Sequence, residues 1–598
     1  MPSFTRTPLK LAALLAALPL PAQAAEADTQ AALDEITVSA TRTGTSAKDT
    51  PAAVYTVRQD QIQHHQMQVD LSESLAAVPG VQIKNRRNYA QDTQISVRGF
   101  GARTAFGVRG VRIYVDDIPA TLPDGQGAIS HIDLGSARRI EVLNGPMSAL
   151  YGNASSGVML VQSEEGQNPP SIETHANAGR YGTYQYGIKA SGGGNGKELP
   201  AYMLSLARFQ TDGYRDHSKS EKYSLGGKWF YTSDSGDLKA GLIARVYNHD
   251  AESPGYLTAG ELGANRFQSP ARNANDHDNR DMQQFSGHLD VQIASNLAYS
   301  GKLYYNSIED DRRVTYTGYA GSSAPRQRRL WNEEHTGWMN TLTWQASQQV
   351  AIEGGFNYEH QDNRYRRYRY AYAVPTDFST PVTTSNDDSH TLDNFGAYVQ
   401  AIIKPNASWK IIPAIRTDIF KGHTTLNATG QTFPLQDYGW INQPKLSVVY
   451  SPSPAFSLYG NWGRTFQIVT GSRSPAYLTT GTTVVKPSIN TGIELGTKFR
   501  LAERTEARIA LWQQDATDEV ANLPSANATQ NLGETRRKGI DFQITTQVAE
   551  KVKLWFSHAY QEAKIVGGYA SGGASLVGKE VFSTPRTITN IGMEYQAT

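Results

Sequence analysis

A membrane-embedded antiparallel β-barrel, preceded by a secretion signal and a small α/β domain, is the fold class predicted by three features of this sequence. From about residue 170 onward, apolar and polar residues alternate with a period of two. The chain combines 31 Tyr, 9 Trp and 53 Gly with a negative mean hydropathy. That balance is expected where only alternate residues meet lipid and aromatic rings mark the two interfaces. At 598 residues the chain is also too long for one ordinary domain, so it holds two units or one unusually large barrel.

The elements follow in order. Arg6 and Lys10 precede the apolar run Leu11 to Leu20, and Ala22-Gln23-Ala24 fits a small-x-small cleavage site, so residues 1–24 read as a signal peptide. An uncleaved anchor helix is disfavoured, because the run is too short and Pro19 and Pro21 break it. Residues 25–49 form a polar extension that carries Asp34-Glu35-Ile36-Thr37-Val38-Ser39-Ala40. An isolated β-prone heptapeptide cannot bury itself, but it can add as a strand to another protein's sheet edge through main-chain hydrogen bonds.

Residues 50–165 read as the α/β unit. Val54 to Val57 is a strand and Asp60 to His65 begins a short helix. Leu71, Leu75 and Val78 lie at helical spacing, Pro79-Gly80 stops that helix, and Val81 to Ile83 forms another strand. Beyond residue 170, Phe542, Ile544, Thr546 and Val548 alternate with Asp541, Gln543, Thr545 and Gln547. Thr505, Ala507, Ile509 and Leu511 likewise alternate with Glu506, Arg508, Ala510 and Trp512. The greasy side faces a core in a soluble sandwich and lipid in a barrel; length and secretion favour the barrel. A lipid-facing arginine at mid-bilayer costs roughly 2 to 4 kcal/mol, so Arg508 is expected to point inward. The polar stretches 248–281, 316–329 and 376–390 read as long loops.

Composition excludes several classes. With 57 basic and 56 acidic residues there is no global nucleic-acid signature, and with no Cys there is neither disulfide nor thiol chemistry. Apart from the signal, no run is apolar enough for a spanning helix. His64-His65 lacks a third ligand, Asp116-Asp117 reads as a turn and packing feature, and no phosphate loop follows a strand. No enzyme site, resident metal or cofactor is expected.

Four segments carry a resemblance: Ile95-Ser96-Val97-Arg98-Gly99-Phe100, Ile113 to Pro119, Arg139 to Pro146 and Ala149 to Asn153, joined by the "SLAAVPGV" run at Ser74 to Val81. In this order they resemble the plug domain of TonB-dependent outer-membrane receptors. The resemblance implies a 22-stranded barrel (residues 170–598) filled by the plug (50–165), in the outer membrane of a Gram-negative bacterium. Residues 34–40 then look like the TonB box, with Asp34, Glu35, Ile36, Thr37, Val38, Ser39 and Ala40 contacting TonB. It further implies a plug lock, in which Arg98 pairs with barrel glutamates and Glu494 is a candidate partner. The second lock position, an Arg in the family, is Asn144 here, so the lock is weaker or borrows Arg138 or Arg139. The chain stops at Gln596-Ala597-Thr598 without the family's terminal aromatic, and its length leaves room for 18 to 20 strands, so a truncated, incomplete barrel is expected.

The implied activity is TonB-dependent import of a metal chelate, a ferric siderophore or ferric citrate first, with haem, cobalamin or another metal complex as alternatives. A passive porin or adhesin is the rival of another class, and an outer-membrane hydrolase a second. The expected partners are TonB with its proton-driven inner-membrane complex, the ferric chelate, and outer-membrane lipid and lipopolysaccharide, with no nucleic acid. Cations and aromatics at the plug tips suit an anionic chelate: Lys84, Arg86, Arg87 and Tyr89 on the first, Arg103, Phe106 and Arg109 on the second. The third tip, at Ala120 to Gly127, carries Asp124, which is either a ligand or a turn former. In 364–372, alternation groups Arg366 with Tyr368, Tyr370 and Tyr372 on one face and Tyr365 with Arg367 and Arg369 on the other. Arg366 and Tyr368 are ligand candidates there, against the alternative of an aromatic girdle with lipopolysaccharide-facing arginines.

Overall fold

The computed structural model describes residues 37–38, 45–46 and 50–597, except 65, 103–106, 156, 195–199, 317–324, 469–485, 503, 524–527, 532 and 569–573. Among the described residues, nineteen strands join in sequence order into one antiparallel sheet, from Ser171–Gly179 to Thr587–Tyr595. One of them, Gln431–Pro434, is a short return strand folded onto the end of Trp409–Leu426. One end of the sheet has tight turns, such as 295–296, 407–408 and 454–455; the other carries loops such as 253–276 and 370–382. Alternation sets the faces as predicted. Leu511 is 52% exposed while its neighbour Trp512 is 4% exposed, and Arg508 turns inward to donate to the carbonyl of Val54.

The expected loops are too long. Pairing runs to Glu252 and resumes at His277, and the later strands begin at Arg326 and Thr383. Main-chain ladders need no apolar face, so strands continue past the alternating segment where both faces are polar.

The plug is built on a five-stranded sheet ordered Val54–Arg58, Ala137–Asn144, Gly157–Ser163, Val111–Val115 and Ile118–Pro119, with one parallel pair between Val111–Val115 and Gly157–Ser163. Its two predicted helices form as Gln59–Gln63 and Ser72–Leu75. Ile62, Leu71, Leu75 and Val78 pack into one core with Ile95, Ile113, Ile140 and Met159. Each such aliphatic side chain contributes about 1.5 to 3 kcal/mol by leaving water. Plug residues contact strands from Thr183–Gly192 round to Glu534–Ala549, so the sheet wraps the plug.

At the loop end, Asp276 knots three segments. Its Oδ2 accepts from the backbone N–H of Thr315 at 2.8 Å and from Asn273 Nδ2 at 2.8 Å, its carbonyl meets His217 Nε2 at 2.8 Å, and Thr315 Oγ1 lies 2.8 Å from Thr376 Oγ1. Burial pushes the Asp276 carboxyl up to about 7, against the lowering effect of those hydrogen bonds and of Arg312. A folded-state value above the ordinary one makes the proton part of the knot. The stabilisation is therefore complete at acid pH and lost as pH rises through about 7. Amide exchange in 253–276, corrected for intrinsic rate, should be slower at pH 5.5 than at pH 8, and Asp276→Asn should remove that difference.

Candidate functional site

Thr37–Val38, at the centre of the N-terminal heptapeptide, pairs antiparallel with Thr45–Ser46 of the same chain. Asp34, Glu35, Ile36, Ser39 and Ala40 lie outside the described residues.

Inside the barrel, Arg98 is the hub. A tight turn places it: Arg98 has φ of 50° and Gly99 of 79°, Arg98 N donates to Gly80 O at 2.7 Å, and Phe100 N donates to Val97 O at 2.9 Å. A Cβ on Gly99 would lie 2.7 Å from Thr584 Cγ2, so the Arg-Gly pair needs both the conformation and the space of glycine. Arg98 Nη1 reaches Glu494 Oε2 at 2.6 Å, its Nε and Nη2 donate to Asp541 Oδ2 at 3.0 and 2.8 Å, and its Cζ lies 4.6 Å from the Trp512 ring centroid. All three charged side chains are 0% exposed. Burial alone would lower the Arg98 pKa, but Asp541 and then Glu494 raise it above its ordinary value, so the guanidinium stays charged. Glu494 Oε1 also accepts from Ala53 N and Tyr459 Oη, each at 2.9 Å, tying the plug's first strand to the same carboxylate.

Arg98 and Glu494 meet, as the sequence led us to expect, but the other two expected lock residues do not join them. Asn144 Nδ2 donates to Pro79 O at 3.4 Å, and Arg139 pairs with Glu141 of its own strand at 2.9 Å. Asn144 belongs to the plug sheet, and its amide satisfies a backbone carbonyl there. The second acid on Arg98 is Asp541, whose place on the polar side of the Phe542 alternation was the available signal. The following Gly145–Tyr151 turn presses on the wall directly, and a Cβ on Gly492 would lie 2.8 Å from Pro146 Cγ.

The opposite side of the plug has its own ion pairs. Arg112 pairs with Glu359, Arg280 Nη1 meets Asp92 Oδ1 at 2.6 Å, and Asp117 Oδ2 meets Lys302 Nζ at 2.9 Å. Asp116 bonds Ser163 N at 2.9 Å and Lys228 Nζ at 3.2 Å, and it pairs with Arg245. Reading Asp116-Asp117 as a turn was correct for the backbone, with φ of 47° and 65°, but missed that both carboxylates clamp the wall.

The expected ligand residues scatter. Arg87 is exposed in a turn closed by its N–H on Asn85 Oδ1 at 2.8 Å, and Arg86 beside it is half-buried. Tyr89 is spent on the wall, with its ring centroid 5.3 Å from that of Phe209 and 5.1 Å from Lys222 Nζ. Arg109 is half-buried near Asp124 and Glu333, which pull its pKa up against the larger lowering effect of burial. Arg103 and Phe106 lie outside the described residues. Asp124 is 4% exposed and accepts from Gln126 N at 2.8 Å and Nε2 at 2.7 Å, which makes it a turn former. Arg366 and Tyr368 share a face as expected, but that face is the outer one, where Arg366 Nη2 donates to Asn332 Oδ1 at 2.6 Å.

The inward face carries the alternate set. Glu359 and Gln361 touch the plug's Arg112 and Asp124, and the same alternation brings Tyr365 and Arg367 inward. Register then places Arg312, Arg329 and Arg367 side by side across three strands, above Trp331 and Tyr365, whose ring centroids are 5.2 Å apart. Asp278 stands opposite Arg312, and no acid is opposite Arg329.

Two family profiles match the chain: "TonB dependent receptor-like, beta-barrel" over residues 214–598 and "TonB-dependent Receptor Plug Domain" over 46–158. The metal-pseudopaline receptor CntO of Pseudomonas aeruginosa PAO1 is 23% identical over 591 residues, 91% of this chain and 78% of that protein. Its counterpart in strain UCBPP-PA14 aligns over 74% of this chain and 65% of its own length. The vitamin B12 transporter BtuB of Photobacterium profundum is 30% identical over 241 residues, 40% of this chain and 36% of that one. Among solved structures, the unliganded ferric citrate transporter FecA superposes with a TM-score of 0.75 at 19% identity, covering 92% of this chain and 82% of that one. The siderophore receptor PiuA of Acinetobacter baumannii gives 0.76 at 14% identity, covering 92% and 86%.

Proposed function

Since the chain belongs to the TonB-dependent receptor family, we propose that it imports a metal chelate across the outer membrane, with an anionic ferric chelate as the first candidate cargo. The observation that carries this reading is the plug itself, enclosed by the sheet and held by fully buried ion pairs. A pore so filled conducts a bulky solute only when work is done on the plug. Residues 34–40 would receive that work from TonB, energised by its proton-driven inner-membrane partners. Glu494 and Asp541 on Arg98 would hold the plug between cycles, and the long loops would face the cell exterior.

For the cargo, the inward arginine row above the Trp331–Tyr365 pair supports an anion with planar groups. The relation to CntO supports a metallophore, and the relation to BtuB favours a second reading, a corrinoid cargo.

Energy-dependent uptake of labelled ferric siderophores, ferric citrate, haem and cobalamin into iron-starved cells tests this. One saturable substrate is expected. Arg329→Ala with Arg367→Ala should weaken its binding about 10- to 100-fold, equivalent to roughly 1.4 to 2.7 kcal/mol, whereas the outward Arg366→Ala should leave it unchanged. Uptake of cobalamin alone would select the second reading, and uptake that survives deletion of residues 34–40 would favour a passive pore.

A further inference from the structure

Two cavities lie between the plug and the same stretch of wall. The upper, of about 50 Å³, is lined by Leu122, His131, Ser163, Lys228, Arg245 and Asn306. The lower, of about 330 Å³, lies toward the short-turn end and is lined by Tyr114, Asp117, Lys239, Tyr299, Lys302 and Thr341. Between them stands the turn that joins Val111–Val115 to Ile118–Pro119. Asp116 is tied upward to Lys228 and Arg245, and Asp117 is tied downward to Lys302.

Ile118–Pro119 is the edge strand of the plug sheet and is held to it by two register pairs, Tyr114 with Pro119 and Val115 with Ile118. The turn is held further by the plug, through Asp116 N on Val161 O at 2.8 Å, Ser163 N on Asp116 Oδ1 at 2.9 Å and Ala120 N on Ile113 O at 2.8 Å, and by the wall, through Asn306 Nδ2 on Pro119 O at 3.1 Å. Withdrawing the turn breaks these edge hydrogen bonds and leaves the other four strands of the plug sheet paired with one another. The other side of the plug is different in kind: Arg98, Glu494 and Asp541 are sealed at 0% exposure, and the Gly145–Tyr151 turn is wedged against the wall.

We propose that cargo leaves the plug along the wall from Ser220–Thr232 to Arg326–Gln345, and that the Asp116–Asp117 turn is the partition that withdraws to join the two cavities. The ion pairs make it a latch, because three wall cations, Lys228, Arg245 and Lys302, hold the two carboxylates of the turn. The inference rests on the import reading for the identity of what passes, but the latch itself can be tested without a substrate.

The chain has no cysteine, so an introduced thiol is unique. The full chain is reconstituted in planar bilayers and ion conductance is recorded. Asp116→Ala with Asp117→Ala should raise the leak at least about tenfold over the native chain, the factor that 1.4 kcal/mol of lost pairing gives. A bulky thiol reagent should then close most of that leak when Thr341→Cys lines the lower cavity, and leave it open when the cysteine is Ser457→Cys on the far wall. The milder Asp117→Ala should leak less, and the swap Asp117→Lys with Lys302→Asp should return conductance to the native level, which separates a broken latch from an unfolded plug. No leak in the double alanine variant, or equal block from Ser457→Cys, overturns the proposal. A leak of the expected kind without uptake of any chelate would instead count against the cargo assignment and leave the latch standing.

Discussion

Arg98→Met should cost the plug about 3 to 5 kcal/mol of stability, the loss expected when one partner of a buried ion pair is removed and the other is left charged. Two carboxylates, Glu494 and Asp541, converge on this one guanidinium with no water contact, so the truncation leaves both uncompensated. The calorimetric transition of the plug should fall well below that of the barrel, and its amides should exchange faster while the wall strands stay protected. Adding Glu494→Gln and Asp541→Asn should recover much of the loss, because neutral amides no longer carry the desolvation penalty of a bare charge. Partial recovery is the expectation, since Glu494 also anchors Ala53 N and Tyr459 Oη. An Arg98→Met plug as stable as the native one would remove Arg98 from the role of lock.

Val38→Pro should reduce uptake to background while leaving chelate binding intact. Thr37–Val38 pairs with Thr45–Ser46 through its backbone, and proline removes one donor and fixes φ. A conservative side-chain exchange such as Val38→Ile keeps both and should transport at near the native rate. The comparison separates recognition by main chain from recognition by side chain, and equal loss in the two variants would refute strand addition. Binding measured on whole cells at low temperature supplies the control, because the proposed ligand residues Arg329 and Arg367 lie far along the chain from this segment.

Much of the architecture was readable in advance because it rests on local rules. The period-two pattern assigned Leu511 outward and Trp512 and Arg508 inward, and the helical spacing of Leu71, Leu75 and Val78 matched a buried face. Strand ends were misjudged at 248–281 and 376–390, since a ladder does not stop where amphipathicity stops. At the candidate site, Arg98 and Glu494 could be named from sequence, but Asp541 could not be told apart from the many other polar residues on inward faces. Arg366 and Tyr368 show the limit sharply. Alternation correctly grouped them on one face, but it cannot say which of two faces meets the lumen.

The sequence by itself determined the plug followed by a β-rich remainder and the family, because each depends on residues close together in the chain. Only the tertiary structure decided which acids close on Arg98, that Asp116 and Asp117 clamp the wall, and that Arg329, Arg367, Trp331 and Tyr365 face inward. Those pairings join positions tens to hundreds of residues apart, and sheet register, which a one-residue shift would invert, sets them.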